Sequence, residues 1–270
     1  MIDRVATTPT PTATNAARAG RAGAAGPARS AGPPPTPPSP PQNRILAKLP
    51  VEVLARISSR LELVSILLGT QLYGTGTPLR YAYFPTTAIV SLHYVTASGS
   101  SIETASVGNE GFVGVSIFMG DGMSTDAAVV QPSGYAYRLP RAILHAEFQR
   151  ESALRKMLLR YTQSMMAQIL VNAACNRHHV IEQQVARLLL RTLDRFSGGD
   201  LLITQELIAS ILGVRREGVT EAAGNLQQAG IIHYRRGHIS VLNREALEAR
   251  ACECYGVIKL EWARLDQYTG

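Results

Sequence analysis

The sequence predicts an α+β chain: a strand-rich sandwich or barrel, then a long helix, then a small helical domain ending in a hairpin. Three observations carry that expectation. Five short β-branched and aromatic runs lie between residues 81 and 139, a helical rhythm holds for more than fifty residues after Pro140, and two short helices joined by a glycine turn precede a basic hairpin. The first 43 residues hold ten of the 15 prolines and little apolar surface to bury, so residues 1–43 read as a disordered Pro/Ala-rich arm.

Between Leu46 and Leu68 the apolar residues Leu46, Leu49, Val53, Leu54, Ile57, Leu61, Val64, Leu67 and Leu68 recur at intervals of one to four. That is a helical rhythm, with Pro50 tolerated near a first turn. Strand signals follow at 81–85, 88–95, 101–107, 127–130 and 134–139, separated by Gly, Pro, Ser or Asn. No long helical crossover separates them, which favours a sandwich or barrel over a parallel sheet. This strand region is assigned to residues 44–150.

After Pro140 the pattern turns helical, with one break expected around Asn176-Arg177-His178-His179. Leu154, Leu158, Tyr161, Met165, Gln168, Asn172 and Cys175 alternate in steps of four and three, while Leu159, Met166, Ile169, Leu170 and Ala173 widen the apolar surface beside them. A helix apolar on two sides needs two neighbours. Two readings stand: an ordinary buried helix, or a dimerisation helix over 151–176 that packs on the strand domain and on a twofold mate. A second amphipathic helix carries Val180, Val185, Leu188, Leu189, Leu190, Leu193 and Phe196, stopped by Gly198 and Gly199.

Thr204 precedes Leu207, Ile208, Ile211 and Leu212 in helical spacing, so its hydroxyl is placed to cap a two-turn helix that Gly213 closes. A second helix opens at Arg216 and runs through Val219, Ala222, Ala223 and Leu226 to Gly230. Ala209 and the Ala222-Ala223 pair are small enough for the two axes to cross closely. This is the form of a helix-turn-helix. The runs 231–234 and 238–242 around Arg235-Arg236-Gly237 add a hairpin with a basic tip. The second helix then presents Arg216, Glu217, Thr220 and Glu221 to base edges, and the wing offers Arg235 and Arg236 to phosphate. The winged domain is assigned to 177–243 and a carboxy-terminal extension to 244–270, the latter left open between a docked helix and a trailing tail.

The segments Ile203-Thr204-Gln205-Glu206-Leu207-Ile208-Ala209-Ser210-Ile211-Leu212-Gly213-Val214-Arg215-Arg216-Glu217-Gly218-Val219-Thr220 and Gly230-Ile231-Ile232, with Arg236-Gly237-His238-Ile239-Ser240-Val241, resemble the CRP/FNR family of bacterial transcription regulators. The order of parts resembles it too. That resemblance implies a double-stranded β-helix (jelly-roll) domain like a cyclic-nucleotide-binding domain, a homodimer, and double-stranded DNA as partner, with RNA polymerase and a small-molecule or protein effector as further partners. It assigns base contacts to Arg216 and Glu217 and completes the DNA-facing set with Thr204 and Arg215. Glu221 stands where the family's better-known member has arginine, which implies a different operator. On the effector side, Gly114 aligns with the nucleotide-binding loop, but Val115 replaces its ribose-binding glutamate, Thr125 its phosphate-binding arginine and Asp126 its hydroxyl residue. A buried phosphate beside a carboxylate and without its cation is poorly stabilised, so no cyclic nucleotide is expected.

Exclusions follow from what the chain lacks. There is no Gly-x-Ser-x-Gly elbow, Walker loop, His-Glu-x-x-His or Rossmann fingerprint; the spaced glycines of Gly108-Asn109-Glu110-Gly111-Phe112-Val113-Gly114 read as a tight turn. No catalytic residue and no cofactor is expected. The family's iron–sulfur branch uses amino-terminal cysteines, and none precedes Cys175 here. Cys175, His178 and His179 share a helix face, yet no fourth ligand is evident, and Cys252 and Cys254, placed on a helix, point about 200° apart; no metal site is expected. Three cysteines, no secretion signal and no long apolar run suggest a cytoplasmic chain without a membrane span. The net charge of +7 divides into +3, +1 and +3 over residues 1–43, 44–150 and 151–270, so bulk charge does not place an anionic partner. Residues 196–240 balance four arginines with four carboxylates, which keeps an alternative alive: a sensor or protein-interaction module whose winged helix is a partner surface.

Overall fold

The computed structural model describes residues 39–195 and 200–267. Most of the expected arm and the glycine pair Gly198-Gly199 therefore lie outside the described residues. Asn43, the last residue assigned to that arm, is fully buried. Its amide donates to the carbonyls of Pro85 (2.9 Å) and Gly111 (2.8 Å), and its Oδ1 accepts from the Ile45 and Leu46 amides. One side chain thus caps α1 (Arg44–Ala47) and ties it to the strands. Pro50, with φ preset and no amide to satisfy, leads into α2 (Val51–Ser58).

The helical reading of 46–68 fails in its last third. Residues of β1 (Glu62–Ile66) pair antiparallel with a later strand, Gly134–Pro140 (β7), Leu63 opposite Tyr137 and Val64 opposite Ala136. A short apolar run suits either period, and here β7, the central strand between β1 and β3, supplies a partner that local spacing does not reveal. Strands β2 (Gln71–Tyr73), β3 (Tyr81–Pro85), β4 (Val90–Val95), β5 (Ser101–Val107), β6 (Ala127–Val130) and β7 (Gly134–Pro140), with the one-turn helix α3 (Ser116–Met119) between β5 and β6, complete the region. They form two antiparallel sheets, ordered β1-β7-β3 and β2-β6-β4-β5.

Both sheets and the long helix share one core. Phe112 stacks on Phe84 at 5.7 Å between ring centroids and meets Tyr161 at 5.1 Å; Val90, Ala105, Val130, Leu139, Leu154 and Leu158 are buried around them. Each such large side chain contributes about 1.5–3 kcal/mol by leaving water.

Helices α4 (Arg141–Gln149), α5 (Ala153–His178) and α6 (Ile181–Leu193) follow. The chain breaks twice, not once: besides the break at His179, Glu151 adopts φ 55°, a turn that neither glycine nor proline announces. The 26 residues of α5 span about 39 Å. Its seam of Leu154, Leu158, Tyr161, Gln168, Asn172 and Cys175 is buried within the chain, against β5 and the last helix. Leu159, Met166, Ile169 and Leu170 stay exposed, Leu170 at 70%.

A second core belongs to the carboxy-terminal region. β8 (Asp200–Leu202), α7 (Gln205–Leu212), α8 (Arg216–Gln228), β9 (Ile232–Arg235), β10 (His238–Val241) and α9 (Arg244–Arg250) bury Ile208, Val219, Leu226, Ile239 and Leu247 against Val185 and Leu189 of α6. The final helix, α10 (Cys254–Asp266), runs back along α5. Trp262 is buried with the Arg195 guanidinium 4.4 Å above its ring, Leu265 joins the strand-domain core, and Lys48 Nζ donates to the Leu265 carbonyl at 2.8 Å. No helix among the described residues is long and apolar enough to cross a membrane.

Candidate nucleic-acid interface

The two helices of the expected helix-turn-helix are α7 and α8. Thr204 Oγ1 accepts from the Leu207 amide at 3.1 Å, satisfying a donor that the first turn leaves free. Gly213 ends α7 at φ 65°, where a side chain would be strained, and a Cβ there would also lie 3.0 Å from Ile102 on β5. The inner face of α8, Val219, Ala222, Ala223 and Leu226, is buried. Its outer face, Arg216, Glu217, Thr220 and Glu221, is exposed, as is Arg215 just before it. Among the described residues Arg216 has only a 3.9 Å approach to Glu206, between two exposed side chains, and Thr220 donates to Gln205 at 2.7 Å.

The wing is β9 and β10, with β8 pairing on the far side of β10. Arg236 and Gly237 both take positive φ, 50° and 82°, the two-residue turn whose twist matches an antiparallel hairpin. Arg235 and Arg236 are exposed at this tip. The Gly237 carbonyl accepts from the Ile203 amide at 2.9 Å and the Gln227 side chain accepts from the Tyr234 amide at 2.7 Å, so wing, α7 and α8 are fixed to one another. All eight expected residues therefore stand in one domain. The outer face of α8 and the hairpin tip are solvent-facing.

A buried polar seam, which the sequence reading missed, joins this domain to the strand region. Arg187, Arg191 and Arg195 repeat at four-residue spacing along α6 and into the turn that follows it. Arg195 grips Glu110 through two hydrogen bonds, at 2.5 and 3.1 Å, with both side chains 3% exposed, and donates to the Ser106 carbonyl at 2.9 Å. Arg191 donates to Ser106 Oγ at 2.5 Å and to Gln168 at 2.7 Å, and Arg187 donates to Asn172. Burial, then repulsion from Arg195, pushes Arg191 down to about 9. Glu110 is the carboxylate of the glycine-spaced turn; its standing as the one charge between Gly108 and Gly114 was the available signal of its role.

Gly114, Val115, Thr125 and Asp126 come together around a cavity of about 350 Å³, shared with Tyr73, Phe112 and, from α5, Met165 and Ile169. Among the described residues its lining has a carboxyl and no Lys, Arg or His. Burial pushes Asp126 above the usual carboxylate range and pushes the neighbouring Tyr73 hydroxyl up as well.

The expected geometry of the cysteines is corrected. Cys252 precedes α10 and Cys254 is its first residue, so the 200° separation of a continuous helix does not apply. The fold-back of α10 brings both to the end of α5, where Cys175, His179, Cys252 and Cys254 hold their ligand atoms within 4.8 Å of one another. Two groups, Cys252 and Cys254, arrive from 77 and 75 residues away and complete a set of four with Cys175 and His179. His178 stays exposed.

Residues 183–250 match the Crp-like helix-turn-helix domain family. Comparison with curated proteins gives no match. Among solved structures, FixK2 from Bradyrhizobium japonicum superposes with a TM-score of 0.62 at 18% identity, over 71% of this chain and 98% of its own. A CRP/FNR-family transcriptional regulator from Thermus thermophilus gives 0.56 at 22% identity, over 77% and 100%. The c-di-GMP responsive global regulator CLP of Xanthomonas campestris gives 0.57 at 15%, over 71% and 99%.

Proposed function

We propose that this chain, with a Crp-like helix-turn-helix domain set in the α+β fold of the CRP/FNR regulators, is a sequence-specific DNA-binding transcription regulator. It acts as a homodimer on a near-palindromic duplex and performs no catalysis. The observation that carries this reading is the free outer face of α8 beside a wing with arginines at its tip. Arg216 and Glu217 read base edges, with Thr220 and Glu221 beside them, while Arg235 and Arg236 meet phosphate and Thr204 and Arg215 flank the docking surface.

The exposed stripe Leu159, Met166 and Leu170 on α5 supports the dimer, because these apolar side chains recur at steps of seven and four along one face and gain by meeting their twofold copies. Such a dimer sets two recognition helices about one DNA turn apart, ~34–36 Å. The two sheets read as a cyclic-nucleotide-binding-like jelly roll whose cavity has lost its cation. We expect no cyclic nucleotide there; an uncharged or cationic effector suits the lining better. Met165 and Ile169 give that cavity a wall on α5, so a ligand that prefers one packing of the helix shifts the population of dimers competent for DNA.

The test is a fluorescence-anisotropy titration of full-length protein with duplex DNA at several salt concentrations. A DNA reader loses affinity along a log–log line whose slope counts neutralised phosphates. A protein-interaction module shows no such binding at any salt.

A further inference from the structure

Cys175 and His179 sit one helical turn apart at the end of α5, on one face. Cys252 and Cys254 arrive from the α9–α10 junction. The Cys175 and Cys252 sulfurs are 3.5 Å apart and Cys254 Sγ lies 3.6 Å from His179 Nδ1. Four ligands around one tetrahedral zinc, with metal–sulfur bonds of ~2.3 Å, stand roughly 3.5–3.8 Å apart. Two pairs already have that spacing, and the rest, all within 4.8 Å, need to close by no more than about 1 Å.

Two further features point to a ligand rather than to packing. The other ring nitrogen of His179, Nε2, faces Glu253 at 3.2 Å, the carboxylate behind an imidazole that fixes its tautomer in metal sites and frees Nδ1 to coordinate. The Arg187 guanidinium is buried, its Nε has no hydrogen-bond partner among the described residues, and it couples electrostatically to Cys175 and Cys254. Three thiolates around a divalent ion carry one net negative charge, which such a cation offsets. Small hydrophobic thiols filling a gap require neither feature.

We propose that Cys175, His179, Cys252 and Cys254 form a Cys3His zinc site that clasps the carboxy-terminal extension to the junction between the long helix and the winged domain. Three soft thiolates and an imidazole suit tetrahedral zinc, and four protein ligands leave no open position, so the site is structural. Binding exchanges the thiol protons for zinc–sulfur bonds and releases them to solvent, with no change of oxidation state. The clasp closes across the one break that separates α5 from α6, where the orientation of α8 relative to a dimer partner is set. That consequence rests on the DNA-binding reading; the metal site does not.

Full-length protein, purified under reducing conditions and stripped with chelator, is titrated with Zn²⁺ against a chromophoric competitor and separately with Co²⁺. We expect one metal per chain, intense visible bands of tetrahedral cobalt with thiolate charge transfer, and a higher melting temperature on loading. Cys254→Ser and His179→Gln should each weaken zinc by about a hundredfold or more and Glu253→Gln by about tenfold, with His178→Gln unchanged. If Cys254→Ser fails to fold by circular dichroism, His179→Gln, on a half-buried side chain, carries the test. Sub-stoichiometric metal with all three thiols titratable, an octahedral cobalt spectrum, or a Cys175–Cys252 disulfide in protein kept under reductant would each overturn the site. Stoichiometric tetrahedral cobalt in a chain that binds no DNA would uphold the site and sink the DNA-binding reading alone.

Discussion

Arginine is used in two opposite ways in this molecule. On α6 and the turn that follows it, Arg187, Arg191 and Arg195 are sunk among Glu110, Ser106, Gln168 and Asn172, to which their guanidinium groups donate. At the proposed recognition surface, Arg215, Arg216, Arg235 and Arg236 are exposed, and among the described residues their one ion-pair approach is that of Arg216 to Glu206, at 3.9 Å. The same residue type is structural cement in one place and an unspent set of donors in the other. Net charge, which sums the two, cannot tell them apart; burial and partners can.

The largest contrast is expected at Arg195. Arg195→Met strands the Glu110 carboxylate in a site 3% exposed, and losing one partner of a buried pair costs about 3–5 kcal/mol. Urea denaturation measures this, and Arg195→Met combined with Glu110→Leu should restore most of the loss, because no charge is then left buried. A small effect of the single change would mean that the seam is wetter than its burial implies.

Next comes Arg216. Arg216→Ala should leave the urea midpoint unchanged yet remove about 1–3 kcal/mol of base discrimination per half-site, read as the affinity ratio between a selected operator and a scrambled duplex. Arg236→Ala should weaken both duplexes alike and lower the salt slope by roughly one unit. An exchange of these two phenotypes would reverse the assignment of helix to bases and wing to backbone.

The smallest effect concerns Asp126. Burial holds its carboxyl above the usual range, so the folded state binds its proton more tightly than the unfolded chain does. Its stabilising contribution is complete below the unfolded pKa and is lost as pH rises through the folded one. Asp126→Asn should therefore be more stable than the parent at neutral pH, with the advantage vanishing in acid; equal urea midpoints at pH 7 would contradict it.

The legibility of the sequence divides along the same line between local and distant partners. Tyr81–Pro85, Ser101–Val107 and Ala127–Val130 are legible as strands because aromatic or β-branched runs stop at or near glycine or proline. Thr204, Gly213 and the Arg236-Gly237 turn were readable because caps and turns are chemistry within four residues. Glu62–Ile66 reads as helix from local spacing, since Leu61, Val64 and Leu67 fit that period, whereas its partners on β7 lie about seventy positions away. The three-residue strands Gln71–Tyr73 and Asp200–Leu202 are too short to show a period. Glu110 with Arg195, and Cys175 with Cys252, are contacts across 85 and 77 residues; only the folded chain brings them together.

One measurement decides most: selection of bound duplexes from a random pool by the full-length protein, reduced and zinc-loaded. We predict enrichment of a near-palindrome whose two half-sites are centred about 10 base pairs apart, the spacing of two α8 helices on one face of the duplex. Arg216→Ala protein should relax the preference at one position in each half-site. A pool that stays random while the protein remains folded and dimeric would contradict DNA reading and turn the winged domain into a surface for a protein partner.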